Sequence, residues 1–111
     1  GDGAKSPEAP AEVTTPALPA VIAFHGAAPN PFTGSTELRF ALPSESAVTL
    51  QIYDVSGRMV RVLAADRFAA GEHRLTWDGR ADGGARLGAG LYFARFQTGS
   101  TQSTTKLFLT R

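Results

Sequence analysis

The chain has no cysteine at all, one methionine, one tryptophan and two histidines in 111 residues. Without cysteine there is no disulfide framework, no redox dithiol and no thiolate metal site. Two histidines, His25 and His73, fall in different predicted strands, and a tetrahedral site needs more ligands than they supply. No apolar run approaches the ~20 residues of a membrane-spanning helix, so no membrane insertion is expected. Charge is sparse and mixed: 11 basic and 10 acidic residues leave a net charge of +1. With no basic stripe or block, capture of nucleic acid is not expected. No stretch has helical apolar period, and the catalytic patterns are missing too. Ser44, Ser46 and Ser56 lack a glycine-flanked nucleophile turn, and the glycines between Gly83 and Gly90 lack the lysine and helix of a phosphate cradle. No catalytic, cofactor-binding or metal-ligating residue is therefore assigned, and the chain is read as a non-enzyme.

What the chain does have is short alternating apolar runs closed by Gly, Pro, Asn or Asp, which is the pattern of a small all-β fold. A first strand over Val21 to Phe24 ends at Gly26. Thr36 to Leu42 points Leu38, Phe40 and Leu42 one way and Glu37 and Arg39 the other. Ala47 to Tyr53 buries Val48, Leu50 and Ile52. Asp54 to Gly57 reads as a type I turn with a bulge. Further strands cover Arg58 to Ala64, His73 to Trp77, Gly90 to Thr98 and Thr104 to Thr110. The Gly90 strand starts apolar on both parities (Leu91 and Phe93, Tyr92 and Ala94), as in a strand covered on both sides or one changing environment midway. About seven strands predict an immunoglobulin-like antiparallel β-sandwich over residues 21–111, without the Cys-Trp-Cys signature of antibody domains.

Residues 1–20 differ. Pro7, Pro10, Pro16 and Pro19 interrupt Ala, Glu and Thr, which predicts an extended Pro-rich N-terminal arm or linker. The start at Gly1, with no signal-peptide pattern, leads us to expect a mature or excised piece of a larger precursor. Asp78 and Asp82 share a polar loop, but Arg80 between them and the lack of a following glutamate fit turn chemistry better than a calcium loop. Trp77, Tyr53 and Tyr92 are the candidates for a sugar-binding platform, although Trp77 alternates with Leu75 and so reads as core. Asn30, ahead of Pro31, is expected to cap a turn, with Phe32 plugging one end of the sandwich.

Pro29-Asn30-Pro31-Phe32, Leu42-Pro43, Tyr53-Asp54, Gly57-Arg58, Ala70-Gly71, Trp77-Asp78-Gly79, Gly90-Leu91-Tyr92 and Lys106 occur in that order. This series resembles the C-terminal sorting domains of proteins exported by the type IX secretion system, and equally the Ig-like domain of the flagellar hook-capping protein. The resemblance implies a non-catalytic, secreted or cell-surface module of a bacterium, recognised by a secretion translocon. By position, Gly90, Tyr92, Lys106, Leu107 and Leu109 would form the recognised end. A second reading stays open. The chain would be the subunit of an extracellular filament, a homopolymer in which one copy's arm adds a strand to its neighbour's sheet, with Val13, Leu18, Val21 and Ile22 as donor side chains. In both readings the partners are proteins, translocon or neighbouring copies, and no cofactor is required.

Overall fold

A computed structural model describes residues 21–111. The arm expected over residues 1–20, with Val13 and Leu18 of the donor segment, lies outside the described residues. The rest forms seven strands: β1 (Ala23–Ala28), β2 (Thr36–Leu42), β3 (Ser46–Asp54), β4 (Met59–Phe68), β5 (Gly71–Trp77), β6 (Gly90–Thr98) and β7 (Thr101–Leu109). They build a three-stranded sheet in the order β1-β2-β5 and a four-stranded sheet in the order β4-β3-β6-β7, with all pairings antiparallel. This is the two-layer sandwich that the alternation predicts.

The core is the set of inward parities. Leu38, Phe40 and Leu42 from β2 meet Val48, Leu50 and Ile52 from β3, Tyr92, Ala94 and Phe96 from β6, and Leu107 and Leu109 from β7. Phe40 and Phe96 touch across the layers with ring centroids 5.2 Å apart, and Phe24 stacks on Phe96 at 5.2 Å. Each such fully buried side chain contributes roughly 1.5–3 kcal/mol relative to exposure.

Three sequence readings need correction. β1 runs on to Ala28 because a bulge at His25, between the Phe24 and Gly26 pairings, lets the strand continue past its glycine. β4 extends to Phe68, with two irregularities against β3, so neither of its parities stays cleanly inward. The polar loop that holds Asp78 and Asp82 is more than a turn, and belongs to a longer segment from Asp78 to Gly90. It carries the chain from β5 in one sheet to β6 in the other, and holds a small hairpin of its own in which Arg80 bridges Arg86.

Candidate recognition surface

Several of the scattered motifs meet at one end of the sandwich, whereas Leu42-Pro43 and Ala70-Gly71 lie at the other, where Leu42 pairs with Gly71. Phe32, Trp77 and Tyr92 pack as one aromatic knot, with Trp77 5.5 Å from Phe32 and 5.4 Å from Tyr92. All three rings are buried, so the polar tips of Trp77 and Tyr92 must find partners. Trp77 Nε1 donates to the Arg80 carbonyl at 2.9 Å, and the Tyr92 hydroxyl donates to the Gly88 carbonyl at 2.7 Å. Burial, with the nearby Asp54 charge second, raises the Tyr92 hydroxyl pKa above its ordinary value. Gly79 sits beneath Leu109 with φ +74°, a backbone that favours glycine, and its carbonyl accepts from Arg111 Nη2 at 3.0 Å. The Trp-Asp-Gly and Gly-Leu-Tyr motifs are therefore packing devices.

Asn30 does not cap a turn. Its side-chain amide spans the edge of β7, donating from Nδ2 to the Lys106 carbonyl at 2.7 Å and accepting from the Phe108 N–H at Oδ1 at 2.9 Å. The next step is made by backbone: Phe32 N–H donates to the Phe108 carbonyl at 2.9 Å, and Thr110 N–H to the Phe32 carbonyl at 2.8 Å. The Pro-Asn-Pro-Phe segment thus covers the outer edge of β7 from Lys106 to Thr110, a protection that exposed strand edges need. Asp82 does the same for β4: its N–H donates to the Val60 carbonyl at 2.9 Å, and its carboxylate accepts from the Val62 N–H at 3.2 Å. In an antiparallel strand the same backbone parity points outward throughout. Gln102 and Thr104 therefore direct their main-chain groups to the part of the β7 edge that no described strand pairs.

Of the five residues that the resemblance marks as the recognised end, β6 and β7 bring four into direct register. Gly90 pairs with Leu109 and Tyr92 with Leu107, and Lys106 is the next residue along, opposite Phe93. Tyr92, Leu107 and Leu109 are buried in the core. Their side chains shape the end from within, and with the β7 edge here covered by Asn30 and Phe32, the exposed groups among the five are Gly90 and the Lys106 side chain. Of the donor residues, Val21 is 67% exposed and Ile22 packs against the domain's own core.

The outer face of the four-stranded sheet carries a surface that the motifs did not mark. Tyr53, Phe93 and Lys106 form one row across it, Gln51, Arg95 and Thr104 the next, and Leu91 with Phe108 a third. Val55 is 70%, Met59 45% and Phe108 44% exposed. A groove of about 350 Å³ runs over Tyr53, Val55, Phe93 and Arg95 to Gln102 and Thr104. Arg95 lies 5.7 Å above the Tyr53 ring and donates from Nη1 to its hydroxyl at 3.4 Å. The Gln102 amide, turned so that its oxygen faces the guanidinium, accepts from Nε at 2.9 Å and Nη2 at 3.0 Å. Asp54 also borders the groove, with its carboxylate committed to the β3–β4 turn: Ser56 Oγ donates at 2.6 Å, Ser56 N–H at 2.9 Å and Arg58 N–H at 3.1 Å. These bonds, the Ser56 hydroxyl foremost, hold its pKa below the ordinary carboxylate value. The sequence signal for this face was the double-parity apolar start of β6.

The polar candidates are engaged elsewhere. Asp78 and Asp82 converge on Arg61, at 3.8 and 3.6 Å. His25 meets Glu72 at 3.4 Å, and His73 meets the Ala69 carbonyl at 2.7 Å while stacking on Phe40. Among the described residues no cluster of three or more His, Cys, Asp or Glu side chains is placed to hold a metal ion. Of the three aromatics considered as a sugar platform, Trp77 and Tyr92 are interior and only Tyr53 lies on the outer face.

The model of the FlgD Ig-like domain family matches residues 26–102. The chain belongs to this family. Consistent with that, the crystal structure of FlgD from Xanthomonas campestris, described as giving insight into hook capping essential for flagellar assembly, is 31% identical. It covers 79% of this chain and 64% of its own, with a TM-score of 0.54. Two proteins of Porphyromonas gingivalis share the fold. Dimeric latent PorU superposes with a TM-score of 0.65 at 23% identity, over 84% of this chain and 10% of its own. PorZ, described as an essential bacterial surface component of the type-IX secretion system, superposes at 0.54 and 16% identity, over 77% of this chain and 11% of its own. The chain thus spans under two-thirds of each of these proteins. No curated protein sequence matches it. The chain is thus a β-sandwich module of the FlgD Ig-like type.

Proposed function

We propose that this FlgD-type Ig-like domain is a sorting and surface-attachment module of the type IX secretion kind, acting outside the cell by being gripped by protein partners. The observation that carries the reading is the β6–β7 end. Gly90 and the Lys106 side chain are exposed beside the Phe32–Trp77–Tyr92 aromatic knot, at positions that the sorting-domain resemblance marks. Preorganisation of this sort lowers the ordering cost of recognition. The fold shared with PorU and PorZ is in keeping with it. The test is a reporter fused ahead of residues 1–111 in a bacterium with a type IX system. Delivery to the surface or medium is expected, and a reporter held in the periplasm refutes the proposal.

A second reading is favoured by the open stretch of β7 edge at Gln102 and Thr104 together with exposed Val21. In that reading the chain polymerises by strand addition, with Val13, Leu18 and Val21 as donors and Ile22 retained by its own core. Electron micrographs of the purified chain test it: filaments support polymerisation, and a monodisperse monomer contradicts it.

A further inference from the structure

The geometry points to an occupant for the outer-face groove: the Pro-rich segment of the same chain, residues 7–19, docked over Tyr53, Phe93 and Arg95. This inference rests on the fold, and holds whether or not the domain directs export. The need for cover comes first. Leu91 and Phe93 are apolar on the outward parity of β6, and neither belongs to the group packed on the core. With exposed Val55, Met59 and Phe108 on the same side, half-buried Leu91 and Phe93 make an apolar area that the described residues cover only in part.

The chemistry of the groove then selects the ligand. Tyr53 and Phe93 line the groove and give it aromatic surface against which pyrrolidine rings can pack. Arg95 has five N–H donors, of which three are spent on Gln102 and the Tyr53 hydroxyl. The other two have no acceptor among the described residues, and a polyproline II segment, having no internal hydrogen bonds, presents carbonyl oxygens to such donors. An arm with Pro16 and Pro19 is a poor strand donor, since each proline lacks an N–H, but that deficit costs nothing on an aromatic groove.

Charge and reach agree. Residues 1–20 carry three carboxylates (Asp2, Glu8 and Glu12) against one lysine, whereas residues 21–111 carry ten Lys and Arg against seven Asp and Glu. Lys106 flanks the groove beside Phe93. Ile22 lines a hollow with Ser46, Ala47, Thr98 and Thr101, and Gln102, next along β7, lines the groove. Thirteen residues of polyproline II span ~40 Å, more than the roughly 30 Å of a nine-residue strand, so the segment reaches the whole groove without strain.

The absence of cysteine makes the test clean. A nitroxide placed by Ala9→Cys or Ala17→Cys in the full ¹⁵N-labelled chain should weaken the Phe93, Arg95, Gln102 and Thr104 amide signals several-fold against the reduced label. Arg39 and Arg74, on the far sheet, should keep theirs. Adding Phe93→Ser and Arg95→Gln should abolish the weakening while the core signals stay in place. Three results overturn the inference: no selective weakening, weakening centred on the Thr101–Thr105 edge by strand addition, or weakening that appears in labelled chains mixed with spin-labelled unlabelled copies.

Discussion

Replacing Asn30 by alanine should cost far more than an exposed polar residue usually does. Asn30 satisfies one donor and one acceptor on the β7 edge, at 2.7 and 2.9 Å, and both bonds reach more than 70 residues along the chain. A net hydrogen bond contributes about 0.5–1.5 kcal/mol, and water reaches the freed groups here, so the pair is worth about 1–2 kcal/mol. For a domain of this size that lowers the thermal midpoint by roughly 4–8 °C per kcal/mol. In urea the midpoint should fall by about 1 M with no change in slope, because the surface exposed on unfolding is unchanged. Asn30→Asp keeps the acceptor for Phe108 N–H but sets a carboxylate oxygen against the Lys106 carbonyl in place of the donor, so it should not restore the native midpoint. Amide exchange supplies the local readout: Phe108 should exchange faster in Asn30→Ala, while Thr110, held by the Phe32 carbonyl, keeps its protection. Unchanged urea midpoints with unchanged Phe108 exchange would refute the clamp.

Gly79→Ala should destabilise by about 1–2 kcal/mol, since φ is +74° and a Cβ would lie 2.6 Å from Arg111 Nη2 and 3.3 Å from Leu109; Gly57→Ala, in open space at φ +87°, should lose only the backbone part, and calorimetry compares them. Trp77→Phe keeps a ring against Phe32 and Tyr92 but removes the shorter of two hydrogen bonds to the Arg80 carbonyl and leaves a void, for a loss of about 2 kcal/mol by urea titration. Asp54 has a folded-state pKa below its unfolded one. Its contribution is therefore full above the unfolded value and disappears as pH falls through the folded value. Asp54→Asn should flatten the acid limb of urea midpoint against pH, and an unaltered limb would count against the turn network.

The strands β2, β3, β6 and β7 were legible because each keeps one parity apolar, and Trp77 and Phe32 were read correctly as interior. The limits of β1 and β4 were not, because bulges add residues without altering composition. The path from Asp78 to Gly90 was hidden for a different reason: turn residues announce a reversal but not which sheet receives the next strand. Asn30 shows the deeper limit. Its pre-proline position predicts local capping, and only the folded chain brings Lys106 within reach, 76 residues away. The outer-face surface was half legible: Leu91 and Phe93 marked an apolar outward parity on β6, while the pinning of Arg95 by Gln102 and Tyr53 needed three strands in register.

The most direct measurement is the surface fraction of a reporter carrying residues 1–111 at its C-terminus in a type IX-competent bacterium, compared with the same fusion bearing Lys106→Glu. Because Lys106 is an outward residue of β7, the substitution leaves the core intact. The account predicts surface delivery by the native fusion and a several-fold loss with Lys106→Glu at equal stability. A native fusion that stays in the periplasm contradicts it, and so does delivery that ignores the substitution.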